Sequence, residues 1–129
     1  MKFGICTGPE RSTAVKQAGF DYIEIGAQPM FQGKNDDASF DGERKVKMSV
    51  LPTPAANGLV PSDLKIVGDA VDFDALTAYM TRTVARAGRL GTKTLVFGSG
   101  GARNVPDGFD RDKARGQIVA FLNMAAPLA

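Results

Sequence analysis

The fold class follows from residues 72–98, which read DFDALTAYMTRTVARAGRLGTKTLVFG. Asp72 opens this stretch as a residue that can cap a helix, and Gly91 lies where a helix would end. Between them the apolar side chains recur three or four positions apart, as in a helix packed along one side: Phe73, Leu76, Met80, Val84, Ala87 and Leu90. The apolar run at residues 93–97 then predicts a strand directly after this helix.

Three further apolar runs upstream predict strands in the same alternation with helices. They lie at residues 2–6, at 21–26 and within 53–60, where several prolines predict an irregular strand. Strands separated by helical segments are typical of right-handed βαβ units and a parallel sheet, so we assign the chain to the α/β class. No change of composition marks a boundary, and residues 1–129 are expected to form a single domain.

The remaining helices are predicted less sharply. One is expected at residues 9–19, and residues 28–50 are expected to form a long polar loop followed by a short helix ending near Val50. A last helix is expected to begin at about Asp110, with these apolar positions: Ile118, Val119, Phe121, Leu122 and Met124.

The strand at residues 21–26 has two different sides. Ile23 and Ile25 alternate with Tyr22 and Glu24, which predicts two different environments. A carboxylate within an apolar strand is costly unless it is paired or hydrogen-bonded, so Glu24 needs a partner. That partner is either a substrate or a Lys or Arg within the fold, and the sequence leaves both readings open.

Composition excludes several classes of function. The 129 residues are 43% hydrophobic and 23% charged with a net charge of +2, which is typical of a globular domain and disfavours nucleic-acid binding. No run is apolar enough for a membrane span or signal peptide, and a single cysteine favours a reducing cytoplasm. The absence of His removes the usual metal ligand and general base, so the chemistry must use other groups or residues outside this chain.

The glycine-rich loop after the fourth strand is the clearest candidate site. It begins at Gly98 but has neither the Gly-Lys-Ser/Thr of a Walker A loop nor the third glycine of a dinucleotide fingerprint. It does bring Ser99, Arg103 and Asn104 to the carboxyl end of a parallel strand, where such sheets bind ligands. Arg103 is expected either to contact an anionic or hydroxyl-rich substrate or to pair with a nearby aspartate, Asp107 or Asp110.

Two other groups favour structural roles. Cys6 has no basic neighbour in the sequence to activate its thiol, so packing is the better interpretation than nucleophilic catalysis. Asp36, Asp37 and Asp41 lie among basic residues, which indicates a solvated loop. No metal-ligand set is therefore expected in this chain.

Several segments, in order along the chain, resemble the sugar phosphate isomerase/epimerase family, whose members have the xylose isomerase-like TIM barrel. The segments are FGIC at residues 3–6, AGFDYIEIG at 18–26, AAN at 55–57 with LKIVG at 64–68, and VFGSG at 96–100 with RNVPDG at 103–108. The last of these carries the most specific part of the likeness.

The resemblance implies an isomerase or epimerase that moves a proton next to a carbonyl of a sugar or related polyol. Such a parent enzyme would use a divalent metal ion, Mn²⁺, Mg²⁺ or Zn²⁺, held by carboxylates and a His from strands five to eight. This chain covers four βα units, so the resemblance implies that it holds neither the metal ligands nor the catalytic residues and is inactive by itself. The resemblance further implies that four residues line the substrate-binding pocket: Glu24, Ser99, Arg103 and Asn104.

We therefore expect about half of a (β/α)₈ barrel, an N-terminal part of a longer parent. A complete barrel takes about 250 residues, and four strands cannot close one. An open half-barrel is expected to self-associate or to pair with its other half, because its edge strands are unpaired. The alternative is a self-contained, non-catalytic α/β module that covers both faces of its sheet and binds a small anionic ligand at the loop from Gly98 to Asn104.

Overall fold

The computed structural model describes residues 1–129 and contains four strands and six α-helices. Short 3₁₀ turns at Pro9–Arg11 and Ala126–Leu128 precede the first helix and follow the last. The elements in chain order are β1 (Gly4–Cys6), α1 (Ser12–Gln17), β2 (Tyr22–Gly26), α2 (Ala27–Phe31), α3 (Gly42–Lys47), β3 (Ala55–Asn57), α4 (Phe73–Arg89), β4 (Thr94–Leu95), α5 (Gly100–Arg103) and α6 (Arg111–Ala125).

The four strands form one parallel sheet in the order β1-β2-β3-β4. Each strand therefore pairs with the next one in the chain, and helical residues lie between successive strands. The predicted α/β class with parallel βα units is confirmed. Because β1 and β4 have a neighbour on one side only, the sheet has two open edges.

Helices cover one side of this sheet, here called the helix face. Along β2, Ile23 and Ile25 are fully buried while the alternate residues are only half-buried, so the predicted difference between the two sides is confirmed. In register with them on the helix face, Ala56 is buried and Leu95 packs against both hydrophobic clusters of the molecule. Both clusters therefore lie on this side of the sheet.

The opposite side, here called the open face, is not covered. Register and strand alternation place five side chains with polar or aromatic character on it: Cys6, Tyr22, Glu24, Asn57 and Thr94. None of them is buried. The sheet thus separates an apolar helix face from a mostly polar open face.

The boundaries of α4 and α6 agree with the sequence prediction. Asp72 caps α4 by accepting a hydrogen bond from the amide of Ala75, and Gly91 follows the helix with a φ of +81°. Asp110 caps α6 in the same way through the amide of Lys113. None of the helices combines the length and the apolar character required to cross a bilayer.

Two short helices lie in segments that were predicted as loops. The prediction is wrong for α2, which follows β2 directly, and for α5, which lies within the glycine-rich segment. Each is five residues or shorter, so its apolar spacing cannot be recognised in the sequence. Burial of Met30 and Phe31 against the helix face explains why α2 forms.

A buried arginine holds the polar segment between α2 and α3. Arg86 of α4 has a side chain only 3% exposed. Its guanidinium donates hydrogen bonds to the carbonyl oxygens of Phe31 (3.1 Å), Gln32 (2.7 Å) and Asn35 (3.1 Å) and to Oδ1 of Asp37 (2.7 Å). One side chain thus satisfies backbone groups that no regular element pairs.

The apolar stripe of α6 is only partly packed. Phe121 is buried and stacks on Phe97, with ring centroids 5.1 Å apart. Ile118 lies at the margin of the same cluster. Val119 and Leu122, on the adjoining side of the helix, are 49% and 44% exposed. The core therefore uses one side of the predicted stripe and leaves the other uncovered.

Candidate functional site

Glu24 lies on the open face, in register with Cys6 of β1 and Ala55 of β3. Its carboxylate makes no ion pair and no side-chain hydrogen bond, and it is half-buried rather than buried. The alternative of a structural pair with Lys or Arg is therefore not what the structure shows. The half-buried carboxylate is thus an acceptor without a side-chain partner on this face.

Asn57 is a further candidate residue on the open face that the sequence analysis missed. It is the last residue of β3 and is in register with Gly26, which has no side chain to block the way to β1. Its Nδ2 donates to Sγ of Cys6 at 3.5 Å. A polar residue at the end of a short apolar run is the signal that could have found it, but the prolines around β3 left the orientation of that strand undetermined.

Ser99 positions the loops at the carboxyl ends of β3 and β4. Its Oγ accepts a hydrogen bond from the amide of Val60 at 2.8 Å. Its backbone is left-handed, with a φ of +36°, at the start of α5. The hydroxyl is therefore engaged in holding two loops together at the carboxyl edge of the sheet.

Replacing Ser99 by alanine is expected to destabilise the protein by about 1–3 kcal/mol, because the amide of buried Val60 would lose its acceptor. Chemical denaturation measures this difference. Ser99→Gly loses the same hydrogen bond, but glycine tolerates the positive φ, so its loss is expected to be smaller. Equal losses in the two variants would contradict the positive-φ account.

Arg103 lies at the end of α5, with an exposed side chain. Its Nε donates to the carbonyl oxygen of Gly98 at 2.6 Å, and its Cζ lies 5.7 Å from the centroid of the Phe97 ring. It forms no ion pair with Asp107 or Asp110, so that alternative is not found. Its two terminal amino groups have no partner within the protein.

Arg103 and Asn104 line a groove of about 780 Å³ between the segment after α5 and α6. Two further arginines of α6, Arg111 and Arg115, line the same groove with apolar side chains. Glu24 and Ser99 do not line it. The structure thus places the four predicted residues in three settings: Glu24 on the open face, Ser99 between two loops, and Arg103 with Asn104 in the groove.

The open face carries few groups of the kind that bind divalent metal ions. Hard cations such as Mg²⁺ need several oxygen ligands arranged around one point. Glu24 is the only carboxylate placed on this face by the strands, and no group of three or more Cys, Asp or Glu residues in the chain could hold a metal ion. What the face supplies is hydrogen-bonding groups, one charged and the others neutral.

Comparison with known proteins adds no relative. No family model matches the chain, and no curated protein or solved structure matches it.

Proposed function

We propose that residues 1–129 form the N-terminal half of a (β/α)₈ barrel in a metal-dependent sugar or sugar phosphate isomerase or epimerase. The observation that carries the proposal is a parallel sheet in sequential strand order with helices on one face only. In a barrel every strand neighbours the next in the chain and every helix lies outside. A doubly wound sheet instead reverses its strand order and covers both faces.

The open face then becomes part of the barrel interior. Glu24 and Asn57 lie near the carboxyl ends of their strands, the end at which barrels bind substrates. A free carboxylate accepts hydrogen bonds from sugar hydroxyls, and an amide both donates and accepts them. In this proposal the two side chains orient the substrate. The groups that hold the metal and move the proton belong to the remaining strands of the barrel.

A second candidate is a non-catalytic module that binds a small anion at the loop from Gly98 to Asn104. The free terminal amino groups of Arg103 favour it, because a guanidinium binds carboxylate or phosphate in bidentate fashion. The uncovered open face favours the first candidate, since a self-contained module would have both faces of its sheet covered.

The proposal is tested by titrating the ¹⁵N-labelled chain with aldoses, ketoses and their phosphates at millimolar concentration. We expect amide shifts at the carboxyl ends of β2 and β3. Glu24→Gln should weaken binding about tenfold, because a charged acceptor is lost. Glu43→Gln, in the first turn of α3 where the carboxylate pairs with Lys47, is the control and should bind as the parent does.

Each other outcome decides against part of the proposal. Shifts confined to Arg103 and Asn104 would favour the anion-binding module. No shift with any sugar would overturn the assignment of the open face as a pocket wall. Deuterium uptake next to the sugar carbonyl, catalysed by the chain alone, would show that the proton-transferring groups lie within these residues.

A further inference from the structure

The molecule exposes more surface than a compact protein of its mass. Its accessible surface is 7440 Å², whereas folded monomers of 13.6 kDa expose about 6,560 Å². The excess is about 880 Å², close to the roughly 800 Å² that each partner contributes to a standard protein interface. The excess accessible surface is therefore about as large as the area that one protein buries in a typical interface.

Exposed apolar side chains lie at both open edges of the sheet. Ile5, in register with buried Ile23, is on the helix face of β1 and is 42% exposed; Phe3, two residues earlier and on the same side, is 60% exposed. No helix of this chain covers them. After the other edge strand, Val119 and Leu122 form the exposed side of α6, the helix that follows β4; Val119 also lines the groove that holds Arg103.

We infer that two copies of this chain associate about a twofold axis parallel to the strands, with β4 of each copy beside β1 of the other. A rotation about such an axis preserves strand direction, so all eight strands remain parallel. This single twofold rotation pairs β4 of each copy with β1 of the other. No edge strand is then left unpaired, so the assembly stops at two copies. The inference concerns the chain by itself and goes beyond the proposed function.

The order of the exposed side chains fits this arrangement. A helix that follows a parallel strand runs back in the opposite direction, so Val119 lies nearer the carboxyl edge of the sheet than Leu122. Along β1, Ile5 likewise lies nearer that edge than Phe3. In the dimer Val119 therefore lies beside Ile5 of the second copy, and Leu122 beside Phe3. This is the position that an outer helix occupies in a closed barrel.

Closure also places two copies of Glu24 in the same interior. Like charges in a region of reduced water access repel each other. Glu24→Gln removes both charges without changing the shape of the side chain, so we expect it to strengthen the dimer several-fold. In a dimer whose open faces stay in contact with water, this substitution would leave the dimer affinity unchanged.

The test is a charge-swap experiment followed by light scattering and analytical ultracentrifugation. Leu122→Lys and Phe3→Glu each place a charge in the contact and should weaken the dimer at least tenfold. An equimolar mixture of the two variants should recover the dimer. In the mixed dimer one contact keeps the native Leu122 and Phe3, and the other pairs the introduced Lys with the introduced Glu. Ala78→Lys, on the exposed side of α4, is the control and should leave the dimer unchanged.

Three outcomes would overturn the inference. The first is a parent chain that stays monomeric at hundreds of micromolar. The second is a dimer that neither variant weakens, since a dimer joined through its open faces alone would not involve Phe3 or Leu122. The third is an assembly that grows with concentration instead of stopping at two copies. Circular dichroism of each variant verifies that it is folded.

Discussion

Replacing Arg86 by methionine is expected to lower the free energy of unfolding by about 2–4 kcal/mol, a large part of the stability of a domain of this size, because buried carbonyl groups lose their donor. The guanidinium donates to three backbone carbonyls of the segment after α2 and to Asp37, and its Cζ lies 4.3 Å from the centroid of the Phe40 ring. Methionine fills part of the volume but donates nothing, so the carbonyls of Phe31 and Asn35 lose their donor, while that of Gln32 keeps only the amide of Asn35. Urea denaturation measures the difference.

Arg89 supplies a matched control on the same helix. Arg89 lies three residues after Arg86 and its side chain is exposed. Its Cζ lies 5.5 Å from the centroid of the Phe40 ring. Arg89→Met is expected to change stability by less than about 0.5 kcal/mol, as for most surface substitutions. Similar losses in the two variants would mean that Arg86 does not organise the segment.

The same contact predicts a pH dependence. The hydrogen bond and charge of Arg86 hold the pKa of Asp37 below its ordinary value of 3.8. A lowered pKa stabilises the folded state above the ordinary value, and this stabilisation is lost as the pH falls through the lower folded value. The parent chain should therefore lose stability below about pH 4 more steeply than Arg86→Met. Because Asp37 is exposed, we expect only a small difference.

Replacing Phe121 by alanine is expected to cost about 3–5 kcal/mol, because it removes a buried aromatic ring and leaves a cavity. Phe121 is 1% exposed and stacks on Phe97, which follows β4. The ring thus ties α6 to the edge of the sheet. Thermal denaturation gives the stability change, and amide hydrogen exchange of α6 shows whether the helix detaches first.

Asn123→Ala is the control for this prediction. Asn123 lies two residues further along α6 and is exposed, so its loss should leave stability within about 0.5 kcal/mol. If Phe121→Ala were equally mild, the stacking of Phe97 on Phe121 would contribute little, and α6 would be held by other contacts.

The sequence predicted the elements that have strong local signals. Asp72 and Gly91 bound α4 because capping and a positive φ are properties of single residues, and the spacing of its apolar side chains shows its packed side. The alternation in β2 likewise predicted that the two sides of the strand meet different environments. Both signals depend on residues within a few positions of each other.

The candidate site was predicted only in part. Ser99 and Arg103 do lie at the carboxyl end of β4, but their partners are backbone groups of Val60 and Gly98. The sequence offered aspartates as partners for Arg103, since it shows which charges are near in the chain and not where the side chain points. The contact of Asn57 with Cys6 joins residues 51 positions apart and had no local signal.

By itself, then, the sequence determined the α/β class, the main helix boundaries and the two-sided character of β2. Only the tertiary structure decided that the strands run in sequential order, that the helices cover one face, and that Glu24 has no partner on the other. Local propensity and spacing act over a few residues, whereas the choice of covered face and the partner of each polar group depend on which distant segments pack together.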